Sequence, residues 1–409
     1  MKQKEKSSLK QLVPSLRFPE FVDAGDWEEV GGDSLFILIV NKNHDSNLPI
    51  LAISQEYGAI PRNLIDYHIS VTDKSIESYK VVEPGDFIIS LRSFQGGIEY
   101  SEYHGICSPA YIILRKKTEL SNHFYRHYFK TANYIRDLNR NIEGIRDGKM
   151  VSYKQFSDIK IPFPSLPEQQ KIADCLSSLD DLIQLETKKW ESLKSYKKGL
   201  LQKLFPAEGE TLPRLRFPEF EGAGDWEEVG GDFLFDPITN KNHDSSLPIL
   251  AITQEHGAIP RHLIDYQISV TEKSIESYKV VEPGDFIISL RSFQGGIEYS
   301  NYLGICSPAY IILRKNRDLS NHFYRYYFKT TKYIQDLNKN LEGIRDGKMV
   351  SFKQFSEIKI PLPTLSEQLK IADCLSLVDG LIQEQSERVE GLKSHKKGLL
   401  QGLFPVMGE

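Results

Sequence analysis

Residues 14–206 and 213–405 align without a gap at a constant offset of 199, and about four positions in five are identical. The first copy runs from Pro14-Ser15-Leu16-Arg17-Phe18-Pro19-Glu20-Phe21 to Leu204-Phe205-Pro206. The second runs from Pro213-Arg214-Leu215-Arg216-Phe217-Pro218-Glu219-Phe220 to Leu403-Phe404-Pro405. Copies of about 190 residues are too long for solenoid units, whose periods fall near 20–50 residues. Each is long enough to carry a domain of its own. A tandem duplication of this kind predicts a molecule with internal two-fold symmetry, which suits a target that is itself two-fold or bipartite.

Composition narrows the class. Hydrophobic content of 40% and charged content of 26% are ordinary for a folded soluble chain. No apolar run approaches the roughly 18 residues of a membrane span, and no apolar stretch follows the charged start Met1-Lys2-Gln3-Lys4-Glu5-Lys6 to make a secretory signal. A cytoplasmic protein is expected. Cys107, Cys175, Cys306 and Cys374 have no Cys or His neighbour at metal-ligand spacing, so buried free thiols are expected rather than a zinc site. A net charge of −5 lacks the basic footprint of a lone DNA-binding domain. If DNA is the ligand, a partner supplies much of the phosphate contact.

Each copy divides into a mixed head and a long helical tail. The runs Leu35–Val40, Ile69–Thr72, Tyr79–Val82, Asp86–Leu91 and Ala110–Leu114 read as strands. Glu83-Pro84-Gly85, Gly96-Gly97 and Ser108-Pro109 supply turns between them. The first run is weakened by its counterpart, which Asp236-Pro237 interrupts. A helix is expected over Ser121–Leu138, with Phe124, Tyr128, Tyr134 and Ile135 on its apolar face. This mixture predicts an α+β head.

The tail follows Ile159-Lys160-Ile161-Pro162-Phe163-Pro164-Ser165-Leu166, and Pro167-Glu168 suits a first helical turn. From there Ile172, Leu176, Leu179, Ile183, Glu186, Trp190, Leu193, Lys197, Leu200 and Leu204 alternate steps of four and three. Ile371, Leu375, Val378, Ile382, Gln385, Val389, Leu392, Lys396, Leu399 and Leu403 repeat the spacing. That is a heptad seam with polar interruptions at matching places, where Glu186/Gln385 and Lys197/Lys396 are expected to set register. A helix of about 38 residues spans about 57 Å, too long to bury against its own head alone. Pairing of the two tails is therefore expected over two independent helices. A two-fold axis perpendicular to them makes the pair antiparallel, whereas a parallel pair brings the heads together. Ser8-Leu9-Lys10-Gln11-Leu12-Val13-Pro14 also resembles Leu200-Leu201-Gln202-Lys203-Leu204-Phe205-Pro206, as if the chain opened with the stub of a helix end. The expected boundaries are a first head over 1–165 including that stub, a helix over 166–205, a linker over 206–212, a second head over 213–364 and a helix over 365–405.

No catalytic motif stands out. Gly144-Ile145-Arg146-Asp147-Gly148-Lys149-Met150 fails the spacing of a phosphate loop. An Asn-Pro-Pro-aromatic run and a Gly-x-Ser-x-Gly elbow are both absent. Asp180-Asp181 falls in the tail, where a solvated face is expected. Four polar segments recur instead: Asn41–Asp45, Gln55–Arg62, Arg92–Gly97 and Arg146–Lys149, with their second-copy equivalents. Arg and Gln can bond guanine and adenine edges bidentately, while Lys holds phosphates. The candidate DNA-binding residues are Lys42, His44, Gln55, Arg62, Arg92, Ser93, Gln95 and Lys149. In the second copy they are Lys241, His243, Gln254, Arg261, Arg291, Ser292, Gln294 and Lys348.

Both copies carry Lys-Gln-Phe-x-x-Ile-x-Ile-Pro-x-Pro-x-Leu-x-Glu-Gln-x-Lys-Ile-Ala, nearly intact, over Lys154–Ala173 and Lys353–Ala372. Ser366 stands in place of Pro167, and Leu362 in place of Phe163. With Leu-Arg-Phe-Pro-Glu-Phe and Gly-Asp-Phe-Ile-Ile-Ser, the chain resembles the specificity subunit of type I restriction–modification systems over almost its whole length. The resemblance implies two target-recognition domains, related by a pseudo-two-fold axis and separated by a pair of long antiparallel coiled-coil helices. Each domain would read one half of a split site on double-stranded DNA, and the helices would fix the spacer. Two modification subunits would dock along the helices and carry adenine methylation with S-adenosylmethionine. Restriction subunits would add ATP- and Mg2+-dependent translocation and cleavage, leaving no cofactor on this chain. Such recognition domains usually differ from each other. Here they are nearly alike, so an inverted-repeat site is expected, with Tyr57/His256, Asn63/His262, His68/Gln267 and Asn47/Ser246 leaving room for one or two unlike base pairs. Two other readings stay open: a coiled-coil scaffold with protein-binding heads, and a single-chain methyltransferase or nuclease with an unrecognised active site.

Overall fold

A computed structural model describes residues 12–44, 47–65, 76–140, 151–243, 246–264, 275–339 and 350–406. The chain forms two compact units, one of Met1–Thr187 with Glu387–Glu409 and the other of Lys188–Ser386. These units are not the sequence repeats. Each contains one head, the start of that head's own long helix, and the end of the long helix from the other repeat.

In the first unit β1 (Glu28–Gly31), β2 (Phe36–Ile39), β3 (Leu51–Ser54), β4 (Gly58–Pro61) and β5 (Lys80–Val82) precede β6 (Phe87–Ile89). β7 (Glu99–Tyr100), β8 (Gly105–Cys107), β9 (Ile112–Lys116) and β10 (Lys160–Phe163) complete the head. The central sheet has the order β2-β9-β6-β7, while β1-β10, β3-β4 and β5-β8 form two-stranded pairs, all antiparallel. Side chains alternate across a strand, and β6 shows the result. Phe87 and Ile89 enter an aromatic core with Phe36, Phe124, Tyr125, Phe129 and Phe156. Ile88 instead faces a smaller core with Leu51, Val82, Cys107 and Ile113, beneath the β3–β4 hairpin. The thiol of Cys107 is wholly buried there, and burial pushes its pKa up to about 12.

Several expectations need correction. The single helix expected over Ser121–Leu138 is two helices, Asn122–Tyr128 and Ala132–Arg140. Thr131 makes the break, because its Oγ1 donates to Tyr128 O at 2.8 Å and accepts from Tyr134 N at 3.3 Å. One side chain thus caps both helix ends. The expected apolar face holds, with Phe124, Tyr128 and Tyr134 buried. Leu35 of the first strand run belongs to a helical turn, Gly32–Leu35, before β2. Its counterpart Phe235–Ile238 is still a strand despite Pro237, since it lies at the edge of the equivalent sheet, where a missing donor is tolerated. The run 69–72 lies outside the described residues. Leu12-Val13-Pro14, the described part of the expected stub, is not helical.

The tails are helices of 39 residues, Leu166–Leu204 and Leu365–Leu403. All the seam positions named above are buried or half-buried. Within the first unit the two helices run antiparallel: Asp180 pairs with Lys396, and Arg388 Nη2 donates to Glu186 Oε1 at 2.8 Å. The second unit contains the offset-related pair, Lys197 Nζ to Asp379 Oδ1 at 2.5 Å. Three of the polar seam residues, Glu186, Lys197 and Lys396, thus pair across the helices, and Asp180, expected on a solvated face, is one of the partners. His127 packs beside this pair, with Nε2 at 3.3 Å from Ser177 Oγ. Burial, then the charge of Lys396, lowers its pKa to about 3. Asp180 at 3.9 Å does not offset this, being already engaged by Lys396. Tyr326 takes the same place in the second unit and donates to Asp379 at 2.7 Å.

The family-like motifs sit where head meets helix. Arg17 Nε and Nη2 donate to both oxygens of Glu168 at 2.7 and 2.8 Å, and Glu168 is 1% exposed. Gln169 accepts from Ser121 N at 2.9 Å and donates to Pro164 O at 2.8 Å. Arg216–Glu367 and Gln368 repeat both arrangements in the second unit. Among the described residues no helix is long and apolar enough to cross a membrane.

The helix ends finish the cores. In the first unit the Phe404 ring packs, tilted, 5.2 Å from Phe124 and 5.7 Å from Tyr128, and Leu16 N donates to Gly402 O at 2.8 Å. In the second, Phe205 lies 5.2 Å from Phe323 and 5.9 Å from Tyr327, and Leu215 N donates to Lys203 O at 2.8 Å. Phe404→Ala should cost the first unit about 3–5 kcal/mol through the cavity it leaves. In calorimetry one transition should fall while the other holds, with Phe205→Ala giving the reverse.

Candidate nucleic-acid interface

The hairpin β3–β4 and the loop Arg92–Gly97 enclose a cleft of about 940 Å3 in the first head. Four of the expected residues line it: Gln55, Arg62, Arg92 and Gln95. Gln55 and Arg92 are exposed, and Gln55 Nε2 donates to Arg92 O at 3.3 Å, tying hairpin to loop. The side chain of Gln55 also lies against Gly96, where an added Cβ would come within 2.5 Å of it. Arg62 begins a short 3-10 turn, Arg62–Leu64. Its Nε and Nη1 are buried with no hydrogen-bond partner among the described residues. Such a guanidinium, with two amide side chains and a second Arg nearby, presents donors and acceptors suited to base edges and phosphates.

The loop carrying Arg92 and Gln95 is held from behind. Lys130 Nζ donates to Gly96 O at 3.0 Å and pairs with Glu99 Oε1 at 2.6 Å, and Asn139 Nδ2 donates to Phe94 O at 2.7 Å. Burial pushes the Glu99 carboxyl up and the Lys130 ammonium down in pKa, each shift opposed by the other's charge. Gly97 has φ +79°, and a Cβ there would lie 2.0 Å from Phe129 O. Only glycine lets the two backbones approach so closely.

Ser93 is corrected by the structure: it is 1% exposed, and its Oγ accepts from Ser90 N at 2.9 Å. Its hydroxyl shapes the loop and does not reach the cleft. Ser292 is buried in the same way and accepts from Ser289 N at 2.9 Å. Lys42 and His44 lie on the loop after β2 and do not line the cleft. His44 Nε2 is 3.2 Å from Tyr79 O, a contact that fastens the loop. Lys149 and Lys348 lie outside the described residues. Tyr57 and Tyr111 also line the cleft. Strand alternation concealed Tyr111, while Tyr57 stood out only as a position where the copies differ.

The second head repeats the construction. Gln254 donates to Arg291 O at 3.3 Å, and Gln294 and Arg291 are exposed on an equivalent loop. Lys329 pairs with Glu298 at 2.7 Å and donates to Gly295 O at 2.9 Å. Arg261 begins the turn Arg261–Leu263, while Lys241 and His243 follow the edge strand, with His243 Nε2 3.2 Å from Tyr278 O.

Comparison with known proteins is consistent along the chain. The family described as "Type I restriction modification DNA specificity domain" matches residues 30–195 and 237–391. A Methanocaldococcus jannaschii protein assigned as the MjaX type I restriction enzyme specificity subunit is 30% identical over 267 residues, 62% of this chain and 60% of that one. The chain thus spans less than two thirds of this relative's length. The MjaVIII specificity subunit of the same organism is 27% identical over 418 residues, covering 95% of this chain and 93% of its own. Among solved structures, the S subunit of a type I restriction–modification system from M. genitalium has a TM-score of 0.54 at 16% identity. It covers 97% of this chain and 100% of its own. A chain from a structural study of complex assembly and conformational transition in the type I R-M system has a TM-score of 0.53 at 20% identity, covering 93% and 98%. At these identities the two structures establish the fold.

The bracing pair gives a direct check on the loop. Lys130→Ala leaves Glu99 buried without its cation and should destabilise the first unit by about 3 kcal/mol. Lys130→Met combined with Glu99→Gln should cost less, as read by denaturant unfolding.

Proposed function

Because this chain belongs to the family of type I restriction–modification DNA specificity domains, we propose that it is the DNA-recognition subunit of such a system, each head reading one half of a bipartite site. The convergence of Gln55, Arg62, Arg92 and Gln95 in one cleft carries this reading. Arg92 and Gln95 supply direct readout from a braced loop, and Gln254, Arg291 and Gln294 do so in the second head. Since all but two of the described cleft-lining positions are the same in both copies, the two half-sites are closely related and inverted.

The long helices set the spacer between half-sites and dock the modification subunits. Leu182 and Leu185 in the first unit and Leu377 and Leu381 in the second are exposed apolar side chains one helical turn apart, a face that fits a partner surface. The chain itself is non-catalytic. S-adenosylmethionine, ATP and Mg2+ belong to partner subunits, two modification subunits and, where present, restriction subunits, acting in the cytoplasm. With a net charge of −5, this chain leaves part of the phosphate neutralisation to them.

The test is selection of bound sites from random DNA by the chain reconstituted with its modification subunits. The expected result is a split motif with inverted halves and affinity that falls steeply with salt. Arg92→Ala and Arg291→Ala should each relax one half-site at one position by about tenfold, the cost of a bidentate base contact of about 1–3 kcal/mol. Sequence-independent binding, or two unrelated halves, would contradict the proposal.

A further inference from the structure

Among the described residues fifteen line the cleft in the first head, and at the 199 offset two of these have different partners: Ser54 with Thr253, and Tyr57 with His256; His68/Gln267 lies outside the described residues. The first difference is absorbed by the turn. Ser54 Oγ accepts from Glu56 N at 3.2 Å and Tyr57 N at 3.4 Å, and Thr253 Oγ1 accepts from His256 N at 3.0 Å. Both hydroxyls close the same hairpin, so the exchange adds a methyl without changing what the cleft offers.

The second difference is presented outward. Tyr57 is 56% exposed at the cleft wall, and the His256 side chain is 48% exposed. The backbone beneath each is fixed alike. Gly58 and Gly257 have φ of +71° and +69°, and added Cβ atoms would lie 2.9 and 2.7 Å from Tyr100 O and Tyr299 O. The turn therefore presents a phenol in the cleft with Gln55 and Arg92 in one head, and at the same position of the other an imidazole whose Nε2 lies 3.8 Å from Glu255 Oε2. A phenol offers a flat apolar ring with a distant hydroxyl. An imidazole offers ring nitrogens that donate to or accept from a base edge at shorter reach. Two other divergent positions, Asn63/His262 and Asn47/Ser246, are exposed but do not line the cleft.

We infer that Tyr57 and His256 are the specificity-determining pair that makes two otherwise identical half-sites differ at one base pair. This rests on the recognition role proposed above. Its test uses the full chain reconstituted with modification subunits, carrying Tyr57→His or His256→Tyr, with the target defined by selection from random DNA and by methylation of the selected sites. Each substitution installs a side chain that the same turn already bears in the other head, so folding is not at issue. The wild type should select halves that differ at one base pair. Tyr57→His should shift preference at that position of its half-site at least tenfold and give a perfect inverted repeat. His256→Tyr should give the opposite perfect repeat, and Asn63→His should leave the target unchanged. Identical halves in the wild type, or variants that keep the wild-type target, would overturn the inference while leaving the recognition role standing. Loss of all sequence preference in the wild type would overturn both.

Discussion

Everything in this fold depends on where each long helix ends. Leu403 and Phe404 are buried among the aromatic residues of the first head, and Leu204 and Phe205 among those of the second. Each helix starts from one head and finishes inside the core of the other. The hydrophobic effect of burying these ends thus makes the helices part of the heads. The duplication is not two self-sufficient domains in a row, since neither repeat closes its own core. The same reciprocity appears in the offset-related ion pairs Asp180–Lys396 and Lys197–Asp379.

The family-marking motifs that contain Arg17 and Glu168-Gln169 lie at this joint and not at the cleft. Arg17 grips Glu168 with two hydrogen bonds, and Gln169 links the head at Ser121 to the helix start. These contacts orient the first turn of the helix against the head. Residues facing the cleft lie elsewhere, on the β3–β4 hairpin and the Arg92–Gly97 loop. The cleft and the joint are therefore built by separate parts of each repeat, so the side chains lining the cleft can change without disturbing the frame.

Much of the frame was legible because it is periodic. The seam from Ile172 to Leu204 announced a long helix and its buried face, and Pro167 marked its start within a residue. Short elements were harder. Leu51–Ser54, Gly58–Pro61 and Gly105–Cys107 are strands of three or four residues, too short for alternation to separate them from loop. Thr131 broke a helix through a side-chain cap that apolar spacing does not register. At the site, Arg92 and Gln95 were legible as polar residues beside a Gly-Gly turn. Ser93 misled because its neighbours are exposed while its own hydroxyl turns inward to Ser90 N. Which expected residues gather in one cleft depends on contacts between distant segments, such as Gln55 with Arg92, and spacing along the chain does not encode them.

If each helix is anchored by its start in one head and its end in the other, and the helices set the spacer as proposed, then the helical length between anchors is the quantity that determines it. The direct test inserts one heptad after Thr187 and another after Ser386, equivalent positions that keep the seam in phase. Seven residues add about 10 Å of helix, or about 3 base pairs of DNA. The account predicts a target with both half-sites unchanged and a spacer longer by about 3 base pairs. An unchanged spacer, with both halves still recognised, would contradict it.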